Sequence, residues 1–567
     1  MCRREAEDQI IQICKRLLFF ILLSINLIYC CSTNLYAEKR ILEGNQKLEF
    51  VENFSGNYLS WVFSEKYGDV KSSNIFLTKL SDNLKTNDLI IKAFNSSLLI
   101  NDWSASKKLA KKIVLFDKHN FFANLVLSVD HFNNKNYNNS LVFVENIKKA
   151  EIDKNFLDII HAWISFAEDN DVNPSQVLGD HEKCIPVKCL HLGLMSELQN
   201  KKQISRKIYE KMLNDYESSI RLYEIFLAFF NKTNDKKKIN LVFEKLSFID
   251  NNLINEINLN DNVVKKINGV SDSKDALAEI YFNISGWFYE KKLYKFSVYF
   301  GNIGLNLKQD FPALRSLLAN SYKKINLFEY ALKNLEKIKE DSLYYNAVIL
   351  TQVEILDEIG KTENIINLLK DASKKTKSNN INMLLADSLR SSGLYQESIK
   401  IYDSLIKKIN KPQQRDWGLF YSRGIAYERI KKWKKAERDF LMALELMPNE
   451  PYVLNYLGYS WLERKENLSE ALELILIAAQ QKPHDAYIID SLGWAYYLLG
   501  EFSNSIQILE RAVSLSPNDA TLNDHLGDAY WKVGRTREAI SQWKRVLIFD
   551  PKFKRKDEIQ RKIVSGI

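Results

Sequence analysis

The chain has 567 residues, a formal net charge of +9 and a hydrophobic fraction of 46%. That apolar fraction excludes a largely disordered chain, and 6 Cys are too few for a disulfide scaffold of this length. Only 19 Gly and 9 Pro exclude collagen-like and loop-rich folds and favour long helices joined by short turns. The modest positive charge permits contact with acidic surfaces without indicating a nucleic-acid partner.

Residues 1–37 are typical of an export signal. Lys15 and Arg16 precede an apolar run, LLFFILLSINLIYCC, over 17–31, and Ala37 offers a small residue for cleavage. We therefore expect cleavage after Ala37. The mature chain is then predicted in the periplasm or on the periplasmic face of a membrane.

Two alternatives to a cleaved signal stay open. In the first, the segment 17–37 stays uncleaved as an anchor that associates the chain with the membrane. In the second, a lipid is attached to Cys30 or Cys31. In every case Lys15 and Arg16 hold the N-terminus inside, so the rest of the chain is exported.

Weak copies of a repeated helix-pair pattern run through 38–249, which we assign to a divergent N-terminal array. In one copy, Leu192-Gly193 is followed by the large residue Tyr209 at the distance expected for a second helix. The segment 168–186 is polar and rich in turn formers where a second helix is expected.

Two histidines and two cysteines near this segment have a spacing that can bind zinc: His181, Cys184, Cys189 and His191. Cys189 occupies the position of a large buried residue, however, and His191 falls on another face of the same helix. We therefore predict no metal site and a Cys184–Cys189 disulfide, as an oxidising compartment allows. Intact mass before and after reduction and alkylation distinguishes this disulfide from two free thiols.

Residues 250–277 have little helical periodicity, and we expect an irregular linker or a decayed repeat there. The repeat becomes regular over 278–551, which we assign to a C-terminal array. Four glycines there recur at intervals of 34, 35 and 34 residues, and four prolines recur at 35, 34 and 34. They are Gly424, Gly458, Gly493 and Gly527, and Pro448, Pro483, Pro517 and Pro551. Residues 552–567 are polar and basic and predict a helix that caps the array.

Each part of this pattern has a physical role. The glycine lets the first helix of a pair cross the second closely, and large residues fill the space beside small ones. Gly500 and Gly534 fall between the two helices, where a left-handed residue ends the first. The proline stops the second helix from continuing. One pair cannot bury its apolar faces alone, so consecutive pairs must stack.

The pattern resembles the tetratricopeptide repeat, a family of tandem helix-turn-helix units. The resemblance is carried by RDWGLFYSRGIAYER, LNYLGYSWLERKENLSEAL, YIIDSLGWAYYLLG and NDHLGDAYWKVGRTREAISQWKRVL, which begin at residues 415, 454, 487 and 523. It implies an all-α, right-handed α-solenoid of about 14 units. The same stretches are similar to large exported repeat proteins of the bacterial envelope, which implies a scaffold and supplies no active site.

The sequence contains no catalytic signature. Gly360-Lys361-Thr362 resembles the end of a phosphate-binding loop, but the glycine required five residues before Gly360 is Ile355. HExxH, GxSxG and the dinucleotide-binding glycine pattern do not occur. We therefore predict that the chain is not an enzyme and needs no cofactor.

In arrays of this kind the first helix of each unit lines a groove. Every third or fourth residue of that helix faces away from the packed side. In the last four units these positions hold Tyr421, Asn455, Tyr459, Asp490, Trp494, Tyr497, Asp524, Asp528 and Trp531. We predict that they form a partner-binding groove. The alternative is that Tyr459, Trp494 and Trp531 pack between units as part of the core.

The predicted groove is both aromatic and acidic. It differs from the Lys, Asn and Arg side chains with which some tetratricopeptide domains clamp acidic tails, and it favours an apolar or basic protein segment. We therefore predict a non-enzymatic, protein-binding scaffold of the bacterial cell envelope that does not bind nucleic acid. The alternative is an accessory subunit of a glycan or polysaccharide synthesis or export apparatus.

Overall fold

The structure is a computed structural model that describes residues 54–83, 86–147, 154–179, 184–215, 219–249, 267, 269–376 and 378–567. The predicted export signal and His181 lie outside these ranges. Within them the chain forms 29 α-helices, one short 3₁₀-helix at Gln414–Asp416 and no strand, which confirms the all-α fold class. No helix in the described ranges is both long and apolar enough to cross a bilayer.

The helices follow one another with short connections. In chain order they are α1 (Phe54–Lys66), α2 (Val70–Asn83), α3 (Asn87–Leu99), α4 (Trp103–Phe116), α5 (Phe121–Asn133), α6 (Tyr137–Glu145), α7 (Lys154–Glu168), α8 (Pro174–Leu178), α9 (Pro186–Leu198), α10 (Lys202–Asp215), α11 (Ile220–Lys232), α12 (Lys236–Ile249), α13 (Ser273–Glu290), α14 (Tyr294–Leu307), α15 (Pro312–Lys324), α16 (Phe328–Leu335), α17 (Tyr345–Glu358), α18 (Thr362–Lys375), α19 (Asn379–Ser391), α20 (Tyr395–Lys407), α21 (Trp417–Arg429), α22 (Trp433–Leu446), α23 (Pro451–Arg464), α24 (Leu468–Gln481), α25 (Ala486–Leu498), α26 (Phe502–Leu515), α27 (Ala520–Lys532), α28 (Thr536–Phe549) and α29 (Lys556–Ser565). The chain divides into two compact units, Met1–Asn57 and Tyr58–Ile567, and all contacts described below lie in the second.

Helices α3 to α28 pack as consecutive pairs, as the sequence predicts. Local sequence starts the first helix of many pairs: Asp485 and Asp519 accept hydrogen bonds from the first-turn amides of α25 and α27, and Pro451 opens α23. The pair α7 and α8 is the exception in length, because α8 has only 5 residues. This short helix lies inside the polar segment 168–186, where the sequence interrupts the repeat.

The predicted close crossing occurs in all four C-terminal pairs. A Cβ added to the glycine of the first helix would lie 2.5 to 2.8 Å from an atom of the second helix. The glycines and the residues they meet are Gly424 with Phe440, Gly458 with Ala471 and Ile475, Gly493 with Leu509, and Gly527 with Trp543. The large partners are fully buried, so glycine on one helix creates the space that a bulky side chain fills on the other.

A residue with positive φ lies between the two helices of nearly every pair. It is glycine at Gly500 (φ 83°) and Gly534 (φ 81°), as predicted, and Asn or Lys in most other pairs, for example Asn326 (φ 59°) and Lys465 (φ 58°). Asparagine adopts this region more easily than other residues with a side chain. Lysine has no such advantage, and the packing of the flanking helices stabilises this conformation.

Helices on either side of 250–277 contact each other directly. Asn302 in α14 donates a hydrogen bond to the carbonyl of Leu98 (2.7 Å), and Tyr322 in α15 donates to that of Leu99 (2.7 Å). Helix α13 packs against α7, and its Glu279 accepts hydrogen bonds from buried Arg221 of α11. One core therefore runs from Trp61 to Ile355.

The predicted linker falls mostly on residues outside the described ranges, although α13 begins within it at Ser273. The division into arrays at 38–249 and 278–551 stays a prediction. The smaller cores after Ile349 each join helices from neighbouring pairs, which is the packing expected of a linear repeat array.

Candidate partner-binding groove

A pocket of about 710 Å³ opens along the first helices of the last four pairs. Its walls come from α21, α23, α25 and α27, together with Trp433 at the start of α22. We call it the groove pocket. The repeat period places its walls, because residues 34 or 35 apart occupy equivalent positions on successive first helices. Asn455, Asp490 and His525 form one such row, each 35 residues after the one before, and all three line the pocket.

Three of the nine predicted groove residues line the groove pocket: Asn455, Tyr459 and Asp490. Burial, with the nearby carboxylates of Glu463 and Asp490, raises the pKa of Tyr459, so its hydroxyl stays protonated at neutral pH. Asp490 is only 5% exposed, and one of its carboxylate oxygens accepts a hydrogen bond from Nδ1 of His525 at 2.8 Å.

His525 links the groove pocket to an aromatic stack. Burial alone would lower the pKa of His525, but the carboxylates of Asp490 and Asp524 raise it above its usual value. The imidazole stacks on Trp494 at 4.1 Å between ring centroids, and Trp494 stacks on Tyr497 at 4.5 Å. Both aromatic residues are half-buried, which agrees in part with the alternative that they serve the core.

The indole of Trp494 also donates a hydrogen bond to the carboxylate of Glu463 on the preceding first helix, at 2.9 Å. The stack therefore supports the wall formed by α23 and α25. Burial and the carboxylates of Asp528 and Asp524 raise the pKa of Tyr497 to about 12.

Asp524 and Asp528 do not lie on an open groove surface. The ammonium of Lys562, in α29, donates hydrogen bonds to both carboxylates at 2.8 Å, and Arg555 pairs with Asp524 at 2.8 Å. Asp528 also accepts a hydrogen bond from the indole of Trp543 at 3.0 Å. The predicted groove is thus closed at its last repeat by the basic C-terminal helix, which takes the place that a further repeat would occupy.

Charge coupling is strong under α29. Burial and the neighbouring Asp524 raise the pKa of Asp528, although Lys562 opposes this. Burial acts to lower the pKa of Lys562, but its two carboxylate partners raise it above the ordinary value. Each buried charge of the cluster is therefore stabilised by the opposite charge of its partner across α27 and α29.

Tyr421 and Trp531, the remaining two predicted residues, lie outside the groove pocket. Tyr421 is half-buried between Phe440 and Tyr456, with ring centroids 6.1 and 6.0 Å away. Trp531 packs on Trp543 at 5.6 Å. Both contacts lie within the helix packing, so these two residues contribute to the stacking of the repeats.

Several residues that shape the site are not among the nine predicted from the sequence. His525 occupies the same repeat position as Asp490, and that position was a usable signal. Glu463 and the exposed Tyr487 also line the groove pocket. The ion pairs of Lys562 had no local signal, because its partners lie 34 and 38 residues earlier.

The predicted Cys184–Cys189 pair lies far along the chain from this pocket. The two residues form a disulfide at the start of α9, with Cα atoms 5.4 Å apart. His191 is fully buried; it accepts a hydrogen bond from the indole of Trp163 at 2.9 Å, and burial lowers its pKa to about 3. No cluster of three or more metal-ligating side chains occurs in the described part of the chain.

These observations define the class of protein: an α-solenoid of helix-turn-helix repeats whose first helices form a groove, an architecture that binds other proteins. A model of the TPR repeat family matches residues 493–534, which include Gly493 of α25 and all of α26 and α27. This part of the chain is therefore similar to the tetratricopeptide repeat.

Similarity to known proteins extends over different parts of the chain. A TPR repeat-containing protein of Pseudomonas aeruginosa is 28% identical over 162 residues, which is 29% of this chain and 27% of that protein. Among solved structures, the APC/C hetero-tetramer Cut9–Hcn1 is 13% identical with a TM-score of 0.37, covering 91% of this chain and 97% of that one. MamA from Desulfovibrio magneticus RS-1 is 20% identical with a TM-score of 0.27, covering 31% and 97%.

Proposed function

We propose that the chain is a non-enzymatic scaffold of the bacterial cell envelope that holds a segment of a partner protein in the groove pocket. The observation that carries this proposal is the pocket itself. Four successive first helices contribute to one cavity of about 710 Å³, and its walls combine aromatic rings with charged groups. Aromatic and arginine side chains in a concave site are the anchors on which protein binding most often depends.

The envelope location is the part of the proposal that the sequence alone supports. Lys15 and Arg16 before the apolar run 17–31 are typical of an exported chain. Recovery of the protein from the cytosolic fraction with residues 1–37 intact would contradict this location.

The binding site is proposed to be narrower than the sequence suggests. Asp524 and Asp528 are engaged by Lys562, and the segment contacts α21, α23 and α25 instead. A variant that changes Asp524 would disturb the docking of α29 and is unsuitable for testing binding.

Site-specific photo-cross-linking tests the groove without disturbing the fold. The photoreactive residue p-benzoylphenylalanine replaces Tyr487, which lines the groove pocket and is 62% exposed. The matched control replaces Leu441, which is 48% exposed on the second helix α22. Both full-length variants are expressed in the source organism, where the partner is present, and cross-linked peptides are identified by mass spectrometry.

We expect one partner protein to cross-link reproducibly at position 487 and no partner to cross-link at position 441. Equal cross-linking at both positions, or none at Tyr487, would contradict a partner bound in the groove pocket. Retention of a glycan by the purified protein, without a protein cross-link, would instead favour an accessory role in glycan synthesis or export.

A further inference from the structure

The groove pocket contains two buried hydrogen-bond acceptors that the chain itself leaves unused. Asp490 is 5% exposed; its Oδ2 accepts from His525, but its Oδ1 has no hydrogen-bond partner. The side-chain oxygen of Asn455, on the preceding first helix, is also buried without a partner. Both residues line the groove pocket. An unpaired buried acceptor is costly, so a pair of them in one cavity indicates a ligand that supplies donors.

The surroundings of these acceptors favour a cation over a neutral donor. Asp490 carries a carboxylate in a largely desolvated position, and Glu463 adds a second carboxylate to the same wall. Tyr459 lines the same pocket and adds an aromatic ring to it. Charge-assisted hydrogen bonds are about twice as strong as neutral ones, and aromatic faces also attract cations.

The rim of the groove pocket has the opposite charge. Arg429 and Arg464 are 55% and 43% exposed at the side chain, and Lys431 is also exposed. Arg464 is held over the ring of Trp433, 4.9 Å from its centroid. A segment with many positive charges would meet these three cations before reaching Asp490. One basic side chain among neutral or acidic residues fits both the interior and the rim.

We propose that Asn455, Tyr459 and Asp490 form a subsite for a single lysine or arginine side chain, carried by a partner segment that is otherwise neutral or acidic. This inference rests on the proposed function, since it names the chemistry of the segment that the groove holds. Asn455 and Asp490 accept hydrogen bonds from the basic group, and the ring of Tyr459 lies beside it. His525 is a positioning residue: it occupies Oδ2 of Asp490 and leaves Oδ1 for the ligand.

Two substitutions with opposite expected effects test the subsite. Asp490→Asn keeps the shape of the side chain and an oxygen for His525 but replaces the free acceptor with a donor, so it should repel the basic group. Asn455→Asp adds a second charge and should strengthen its binding. The control is Asp357→Asn, an exposed carboxylate in α17 that lies outside the groove pocket.

The probe is a library of random 12-residue peptides displayed on phage and selected against the purified full chain. We expect the selected peptides to share one Lys or Arg with neutral or acidic neighbours and to compete with cross-linking at Tyr487. Replacing that basic residue by norleucine should weaken binding about tenfold or more, as for loss of a charge-assisted hydrogen bond. Asp490→Asn should weaken it by a similar factor, Asn455→Asp should strengthen it several-fold, and Asp357→Asn should leave it unchanged.

The outcomes separate this inference from the proposed function. The peptides could compete with cross-linking at Tyr487 and yet bind the Asp490→Asn variant as well as the wild type, with no loss when norleucine replaces the basic residue. That result would overturn the basic subsite and leave the groove as the binding site. A loss of affinity in both Asp490→Asn and Asn455→Asp would also overturn it, because that pattern indicates a structural role alone. Selection of peptides that do not compete at Tyr487 would contradict the proposed function as well.

Discussion

Replacing Gly458 by alanine tests the close helix crossing on which the repeats depend. The added Cβ would lie 2.8 Å from the carbonyl oxygen of Ala471 and 2.9 Å from Cγ1 of Ile475. Ordinary contacts between carbon atoms are about 3.5–4.0 Å, so α23 and α24 would have to separate by roughly 0.5 Å or more. Overpacking of this kind costs about 1–3 kcal/mol, and the helix propensity of alanine returns up to about 1 kcal/mol. We expect the local stability of the pair α23 and α24 to fall by about 1–2 kcal/mol.

Gly418→Ala is the matched control. Gly418 lies in α21, and no atom lies within 4 Å of a Cβ added there, so only the gain in helix propensity remains. Hydrogen exchange of the full chain under native conditions measures both variants. The amides of α23 and α24 should exchange about 5- to 30-fold faster in Gly458→Ala and no faster in Gly418→Ala. Equal exchange in the two variants would refute the packing argument.

Two further predictions concern buried charge. Lys562→Met leaves two buried carboxylates without their shared cation, which should destabilise the folded state by about 3–5 kcal/mol. Hydrogen exchange should become faster in α27 to α29, while its rate in α3 to α16 stays unchanged. The control is Lys556→Met, which changes an exposed lysine, and equal exchange rates in the two variants would contradict the burial argument. Because burial lowers the pKa of His191 to about 3, the unfolded chain binds more protons between pH 6.5 and 3, so stability falls as pH falls. At pH 5 the loss is about 2 kcal/mol relative to pH 7.5. Urea midpoints measured across this pH range test the effect. The midpoint should fall with pH in the wild type but not for the same reason in His191→Gln, whose side chain still offers an acceptor to Trp163. Identical pH profiles for the two proteins would contradict a buried, neutral His191.

The regular part of the fold was predictable because its signal is local and repeated. The spacing of Gly424, Gly458, Gly493 and Gly527 encodes the close crossings that the structure shows. The left-handed turns at Lys465 and its equivalents were not predictable, because lysine rarely adopts positive φ and only the packing of the flanking helices selects it.

The contact of α14 and α15 with α3 was also beyond the reach of the sequence pattern. It depends on hydrogen bonds from Asn302 and Tyr322 to backbone carbonyls more than 200 residues earlier in the chain. Neither side chain differs locally from an ordinary helix residue, so periodicity alone gives no reason to bring these helices together.

The site was predictable in position but not in accessibility. Helical periodicity placed Asn455, Tyr459 and Asp490 on one wall, and they line the groove pocket. The same periodicity selected Asp524 and Asp528, which are buried because α29 occupies the end of the array. The sequence predicted a basic helix there, but not that its Lys562 would neutralise the last acidic positions.

The decisive experiment is a structure of the full chain bound to the partner that cross-links at Tyr487. We expect the partner segment to lie along α21, α23 and α25, with one basic side chain reaching Asp490 and α29 still docked on α27. A partner seated on the second helices α22, α24 and α26, with the groove pocket empty, would contradict it.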